Sequence, residues 1–245
     1  MNFSLFLNSR SRPELLKNFL KSVHDTTCDK DSIEVLVRYD YDDDLTRSIS
    51  KENFNLNVRF IEGPRPDNLT ASYNQLIKQA HGKNLFVCND DICFLTKNWD
   101  QIALNKISSY LSENEIIDDI YYCWTSCNSA DRDVVSGYCS FPIISKKATD
   151  VVGFFMYEDF KTLGGDASIY RLYKKIGRII YIKEIEIDHI LHKTIERIVS
   201  PDEVASEYRK KFFSNPINAS TFDISKEVKI LNDHINENSK YKFFE

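Results

Sequence analysis

Leu85-Phe-Val-Cys-Asn-Asp-Asp91 decides the fold, because an apolar run passes directly into an amide and two carboxylates. A short continuous apolar run of this kind suits a strand buried on both faces, as in parallel sheets. Just before it, residues 72–81 carry Tyr73, Leu76, Ile77 and Ala80 at helical spacing, with Gly82 as the stop. Just after it, Trp99, Ile102, Ala103, Ile107, Tyr110 and Leu111 mark a second amphipathic helix, with Trp99 as core at its start. A strand set between two helices is the unit of an α/β sheet.

The same alternation extends toward the N-terminus. Residues 3–7 read as a first strand, Pro13-Glu14 opens a helix, and Leu15, Leu16, Phe19, Leu20 and Val23 share its face. Residues 33–37 and 58–61 read as the second and third strands. Past residue 120, strands are expected at 121–124, 141–144, 179–182 and 185–187. Helices are expected at 167–176, closed by Gly177, and at 226–236. Ser200-Pro-Asp-Glu203 has the form of a capping box. No Pro/Gly/Ser-rich linker divides the chain, so the expectation is one α/β domain over 1–245 with a mostly parallel central sheet. Within it, 1–95 and 96–200 read as two halves and 201–245 as a helical extension.

Composition excludes several classes. With 245 residues, 42% hydrophobic and 28% charged, the chain has material for a core and is not a disordered polymer. Thirty-two basic against 37 acidic side chains leave a net charge of −5, which argues against broad nucleic-acid binding. No apolar run approaches the roughly 20 residues of a membrane-spanning helix. Met1-Asn-Phe-Ser-Leu-Phe-Leu7 lacks the basic start and cleavage site of a signal peptide, so the reading is intracellular and cytoplasmic. The Asn-x-Ser/Thr triplets at Asn2, Asn68 and Asn218 are accordingly read as chance. Cys123 and Cys127 lack a second metal-type pair, so the six cysteines read as buried free thiols.

In parallel α/β sheets, ligands collect outside the carboxyl ends of the strands. The residues expected there are Asn8-Ser-Arg-Ser-Arg12, Arg38-Tyr-Asp-Tyr-Asp-Asp-Asp44, Gly63-Pro-Arg-Pro66 and Asn89-Asp-Asp91. Arginines beside carboxylates suit a phosphate ligand that arrives with a divalent cation. Each group also has a plain reading. Asn89-Asp90-Asp91 can be an acidic turn, and Arg10, Arg12 and Arg65 can be solvated loop arginines. The run after Asp40 reads as a solvated loop, and Asp91 as part of an exposed strand-end loop.

Six blocks in order resemble glycosyltransferases of the family-2 type, with the GT-A fold. Phe3 to Val23 resembles their opening strand and helix, and Glu34-Val-Leu-Val-Arg-Tyr-Asp40 their second strand. Ala71-Ser-Tyr-Asn-Gln-Leu-Ile-Lys-Gln-Ala-His-Gly82 resembles a helix whose asparagine, here Asn74, precedes an Ala-x-Gly stop. The Leu85 to Asp91 segment resembles the strand bearing the metal-binding Asp-x-Asp motif. Gly164-Gly-Asp-Ala-Ser-Ile-Tyr-Arg resembles the helix headed by the catalytic aspartate, and Tyr181 to His189 a strand ending in a metal-binding histidine. Two departures stand out: Asn89 replaces the first aspartate of the motif, and Gly165 replaces an acidic residue before Asp166.

The resemblance implies an inverting transferase that moves a sugar from a nucleotide-diphosphate sugar, a UDP-sugar being favoured, to a carbohydrate or other hydroxyl acceptor. It implies Asp166 as general base, and Asp91 and His189 as ligands of Mn²⁺ or Mg²⁺. It implies Asn8, Ser9, Arg10, Arg12, Asp40, Arg65, Asn74 and Asp90 as contacts of the nucleotide sugar. By residue type alone, Asp166 is equally suited to be a helix N-cap, and His189 and His192 remain alternatives for the ligand. The competing functional reading is a non-catalytic GT-A-fold protein that binds a sugar or partner. A nucleotidyltransferase lacks support, since no glycine-rich phosphate loop follows the first strand.

Overall fold

The computed structural model describes residues 1–127, 139–160, 164–190 and 218–240. The histidine at 192, the capping box at 200–203 and most of the segment 126–140 lie outside them. Eight strands form one sheet: β1 (Phe3–Asn8), β2 (Ile33–Asp40), β3 (Val58–Gly63), β4 (Asn84–Val87), β5 (Ile92–Phe94), β6 (Tyr122–Cys127), β7 (Ile143–Ser145) and β8 (Ile179–His189). Their order is β3-β2-β1-β4-β7-β6-β8-β5.

β3, β2, β1 and β4 are mutually parallel, and β6 and β8 are parallel to each other. β7 runs antiparallel between β4 and β6, and β5 antiparallel along β8. The polarity of this pattern matters. β4, β6 and β8 all end at the same sheet edge as β1, β2 and β3, so the polar residues after each strand collect along one rim.

Burial follows the sequence. Phe3, Leu5 and Leu7 of β1 pack with Leu16, Phe19, Leu20 and Val23 of α1 (Pro13–Thr26) on one face. Phe6 points to the other face, beside Leu76 of α3 (Leu69–Ile77). Trp99 opens α4 (Trp99–Glu113), is fully buried against Phe3, Phe86 and Phe94, and donates its indole N–H to Thr27. Gly82 must be glycine, since a Cβ there would lie 2.3 Å from the Ser4 backbone nitrogen.

Several elements differ from expectation. The acidic run after β2 is an exposed turn at Tyr41 and Asp42, but Asp43 is buried and caps α2 (Asp44–Ile49) by accepting from the Thr46 backbone N–H. β8 is one strand, not two. Its register on β6 jumps from Thr125↔Ile182 to Ser126↔Glu186, so residues 183–185 bulge out and mimic a turn in sequence. A further helix, α5 (Lys146–Val152), is capped by Ser145. α6 (Gly165–Lys175) and α7 (Ser225–Lys240) complete the helices of the described residues. Among those residues no helix is long and apolar enough to cross a membrane. Of the cysteines, Cys28 is exposed and Cys93 half-buried, while the other four are buried; all six are free thiols.

At the rim opposite the polar loops, Glu34 is almost wholly buried. It accepts from Ser4 Oγ at 2.5 Å, from the His81 backbone N–H at 2.6 Å and from Arg59 at 3.2 Å. Burial pushes its carboxyl up, but these donors outweigh burial and hold it below the usual value. A carboxylate with a depressed folded pKa contributes stability that is present above its unfolded value and lost as pH falls through the folded one. Glu34→Gln should therefore cost about 1.5–3 kcal/mol at pH 7, read as a lower urea midpoint. The mutant's stability should also vary less with pH between about 5 and 3. Equal midpoints and equal pH profiles would show the network to be idle.

Candidate functional site

The register of β5 on β8 builds the centre of the site. Ile92 pairs with His189, and the Ile190 N–H donates to the Asp91 carbonyl at 2.9 Å. Asp91 and His189 come from distant parts of the chain, yet His189 Nε2 lies 3.4 Å from Asp91 Oδ2. Phe141 packs edge-on to the His189 ring at 5.2 Å. The expected exposure of Asp91 is corrected here: the pairing of β5 with β8 buries it. Burial pushes its carboxyl up, but His189 and Arg12 more than offset this and hold it below the usual range.

Asp90 is fully buried. Arg12 reaches it with Nη2 at 2.5 Å and Nε at 3.1 Å, and Ser9 Oγ donates to it at 2.8 Å. Burial nevertheless dominates and pushes Asp90 up to about 6, with Arg12 pulling the other way. Arg12 Nη1 also lies 3.8 Å from Asp91 Oδ2. The two aspartates are thus held differently: Asp90 is enclosed by Arg12 and Ser9, while Asp91 faces His189.

A second arginine–carboxylate set ends β2. Asp40 receives Arg38 on Oδ1 at 2.8 Å and Arg10 on Oδ2 at 3.1 Å. Arg10 also forks onto both oxygens of Asp42, at 2.5 and 2.8 Å. Arg65 stands close enough to help lower Asp42. Arg38 and Asp42 were not singled out from sequence. Arg38 and Asp40 stand two apart on one strand, a spacing that aims both side chains at the same face.

Asp166 lies in the first turn of α6. α6 runs back from the site rim toward the start of β8, so its N-terminus sits at that rim. The helix cap is Gly164, with φ of 92°, and not Asp166. Asp166 Oδ1 accepts the Ala167 backbone N–H at 2.8 Å. Burial pushes its carboxyl above the ordinary value, against that hydrogen bond. Gly165 has a steric reason for lacking an acidic side chain: its Cβ would meet Thr70 Cγ2 at 3.3 Å, with Met156 Sδ and Phe160 close behind. The same approach seats α6 on the first turn of α3. From α3, Ser72 Oγ donates to Asn8 at 2.6 Å and Tyr73 Oη to Asn89 at 3.3 Å, linking it to the β1 and β4 loops.

Asn74 is corrected from a donor contact to a clamp. Its Oδ1 accepts from the Phe155 and Met156 N–H groups at 2.9 and 3.0 Å, and its Nδ2 donates to the Met156 carbonyl and Glu158. Its hydrogen-bonding capacity is spent on residues 155–158.

Asp91 Oδ1 is buried with no hydrogen-bond donor among the described residues. A dry acceptor without a donor is costly and marks a place for a missing ligand. A carboxylate oxygen beside an imidazole nitrogen suits a divalent cation, the carboxylate being the donor that favours Mn²⁺ or Mg²⁺. Among the described residues no group of three or more His, Cys, Asp or Glu side chains is placed to hold a metal alone. The remaining ligands would have to come from phosphate oxygens and water, the usual arrangement for such ions.

Known proteins agree with this architecture. Residues 5–125 match the family described as glycosyl transferase family 2. The S. aureus protein TarS, as its 1–349 fragment with UDP, superposes with a TM-score of 0.59 at 14% identity, covering 100% of this chain and 73% of that one. The complex of the same fragment with UDP-GlcNAc gives 0.58 at 14%, covering 98% and 73%. The Pyrobaculum calidifontis mannosyltransferase PcManGT, bound to GDP-Man and Mn²⁺, gives 0.62 at 11%, covering 100% and 76%. No curated protein matches the sequence. The fold is that of the GT-A glycosyltransferases.

If Asn74 is a clamp, Asn74→Ala should orphan the Phe155 and Met156 N–H groups. The expected loss is about 1–3 kcal/mol of stability, with faster hydrogen exchange at those two amides. Exchange and urea midpoint both equal to wild type would remove the clamp role.

Proposed function

We propose that this chain, which resembles the family-2 glycosyltransferases, is an inverting, metal-assisted transferase of a sugar from a nucleotide-diphosphate donor to an acceptor hydroxyl. A UDP-sugar is the first donor to test. The observation that carries the reading is the approach of His189 Nε2 to 3.4 Å from Asp91 Oδ2 at the sheet rim, from two distant segments. They stand beside the arginine–carboxylate loops of β1 and β2.

Asp40, with Arg10 and Arg38, is the candidate recognition group for the base and ribose. Arg12 and Arg65, with Asn8 and Ser9, line the proposed path of the diphosphate. Asp90 acts through Arg12, holding it rigid at the site. Asp91 and His189 would hold the cation, which when bound neutralises charge on the departing diphosphate.

Asp166 Oδ1 is fixed by the Ala167 N–H, which leaves Oδ2 to accept the acceptor's hydroxyl proton. As the O–H bond breaks, the oxygen bonds to the anomeric carbon from the side opposite the diphosphate. The bond from carbon to diphosphate oxygen breaks, and its electron pair leaves with the diphosphate. One displacement of this kind inverts the anomeric configuration. A carboxylate whose pKa is raised by burial is a stronger base than an ordinary aspartate. The competing non-catalytic reading has no observation that favours it.

Asp166→Asn should reduce single-turnover transfer about 10²–10⁴-fold with nucleotide affinity almost unchanged. Asparagine keeps the Ala167 hydrogen bond, so the fold should survive. The wild-type rate should fall on the acid side above the ordinary aspartate pKa of about 3.9, because a base with a raised pKa is protonated sooner. Transfer by Asp166→Asn at the wild-type rate would end its assignment as the base.

Calorimetric titration with UDP should give tighter binding with Mn²⁺ than with EDTA, and Asp91→Asn should remove the difference. Equal wild-type affinity in the two buffers would contradict the metal assignment.

A further inference from the structure

An aromatic surface lies one helical turn below Asp166, outside the site described so far. Tyr170 follows Asp166 by four residues, on the same helical face and about 5.4–6 Å farther along α6. Its ring lies 5.7 Å from that of Trp124 on β6, and Trp124 lies 4.9 Å from Tyr181 on β8. Trp124 and Tyr181 are cross-strand partners in register. Tyr170 is buried and Trp124 half-buried, while Tyr181 is 38% exposed, so the row opens to solvent at its outer end. The Trp124 indole N–H is buried and has no acceptor among the described residues.

Two features of this row need explaining. An aromatic pair with one open ring is an unused apolar face on a strand pair that otherwise alternates buried and exposed residues. A buried indole N–H without an acceptor is a cost that a ligand oxygen or water would relieve. A pyranose ring answers both, with an apolar C–H face to lie on an aromatic ring and hydroxyls at its edge to take the N–H. Tyr170 is offset from Asp166 by about the length of one pyranose residue, and Trp124 and Tyr181 lie successively farther along the row.

We infer that Trp124 and Tyr181 form a carbohydrate subsite, which takes a sugar unit of the acceptor other than the one whose hydroxyl Asp166 deprotonates. The inference rests on the transferase reading and sharpens it: the acceptor is a glycan of at least two sugar units, not a lone small alcohol.

The chain has two tryptophans, and Trp99 is fully buried on the opposite face of the sheet. A change in tryptophan emission on adding sugar therefore reports Trp124. The probes are cellobiose, maltose and N,N′-diacetylchitobiose, each titrated into the full chain, with UDP titrated separately in Mn²⁺. At least one disaccharide should change the emission saturably, and Trp124→Phe should abolish the signal. Tyr181→Ala, at an exposed position, should weaken that binding about tenfold or more, while leaving UDP affinity and the thermal midpoint unchanged.

No saturable response to any disaccharide, from protein that still binds UDP, would overturn the subsite and leave the transferase reading standing. A response with the same affinity in Tyr181→Ala would also overturn it. A disaccharide response that Tyr181→Ala weakens, in protein that binds no nucleotide, would support the subsite and count against the transferase reading.

Discussion

The antiparallel pairing of β5 with the end of β8 is the constraint on which the site depends. β4 ends in polar residues that would otherwise lie loose at the sheet rim. The turn at Asp90-Asp91 instead feeds directly into β5, and the Ile92↔His189 register fixes Asp91 against the imidazole. Because β8 also pairs with β6 in parallel, the same strand carries the aromatic row and returns His189 to the rim. A one-residue slip would turn His189 to the opposite face and dismantle the centre.

Charge is arranged around this frame in fixed pairs. Arg12 is locked to Asp90, and Arg10 and Arg38 to Asp40. Each pair places a guanidinium at the rim without requiring a long, mobile side chain to be ordered at the moment of binding. Such preorganisation reduces the entropy cost of gripping an anionic ligand. Asp91 differs in its partner: Asp90 is held against the Arg12 guanidinium at 2.5 Å, whereas Asp91 faces the His189 imidazole at 3.4 Å with Arg12 only at 3.8 Å. That asymmetry between neighbouring aspartates distinguishes a residue that holds an arginine from one suited to hold a cation.

The fold was legible where the chain is locally consistent. β1, α1, β2 and β4 show mostly apolar runs, broken only by single residues such as Ser4 and Glu34, or a clean helical face, because both sides of those strands are covered. α2, β5 and α5 were not legible. Each is short, and tertiary partners rather than propensity sustain it, as with the Asp43 cap of α2 and the β8 partner of β5. β8 read as two strands because Lys183 and Glu184 look like a turn, whereas they are exposed residues of a bulge. In the site, residue types and strand-end positions pointed to the rim at which the arginine–carboxylate pairs lie. The pairing of Arg12 with Asp90 and the clamp made by Asn74 were hidden, because long-range side-chain partners leave no periodic trace in sequence. Asp91 with His189 emerged only through resemblance to a family, the spacing of the two residues carrying no signal of its own.

The most direct test of the account is a crystal structure with UDP and Mn²⁺, using anomalous scattering to locate the metal. The account predicts one Mn²⁺ peak between Asp91 and His189, with the uridine against the Asp40 end of β2. Ordered UDP with no metal peak between Asp91 and His189, or UDP bound away from this rim, would contradict it.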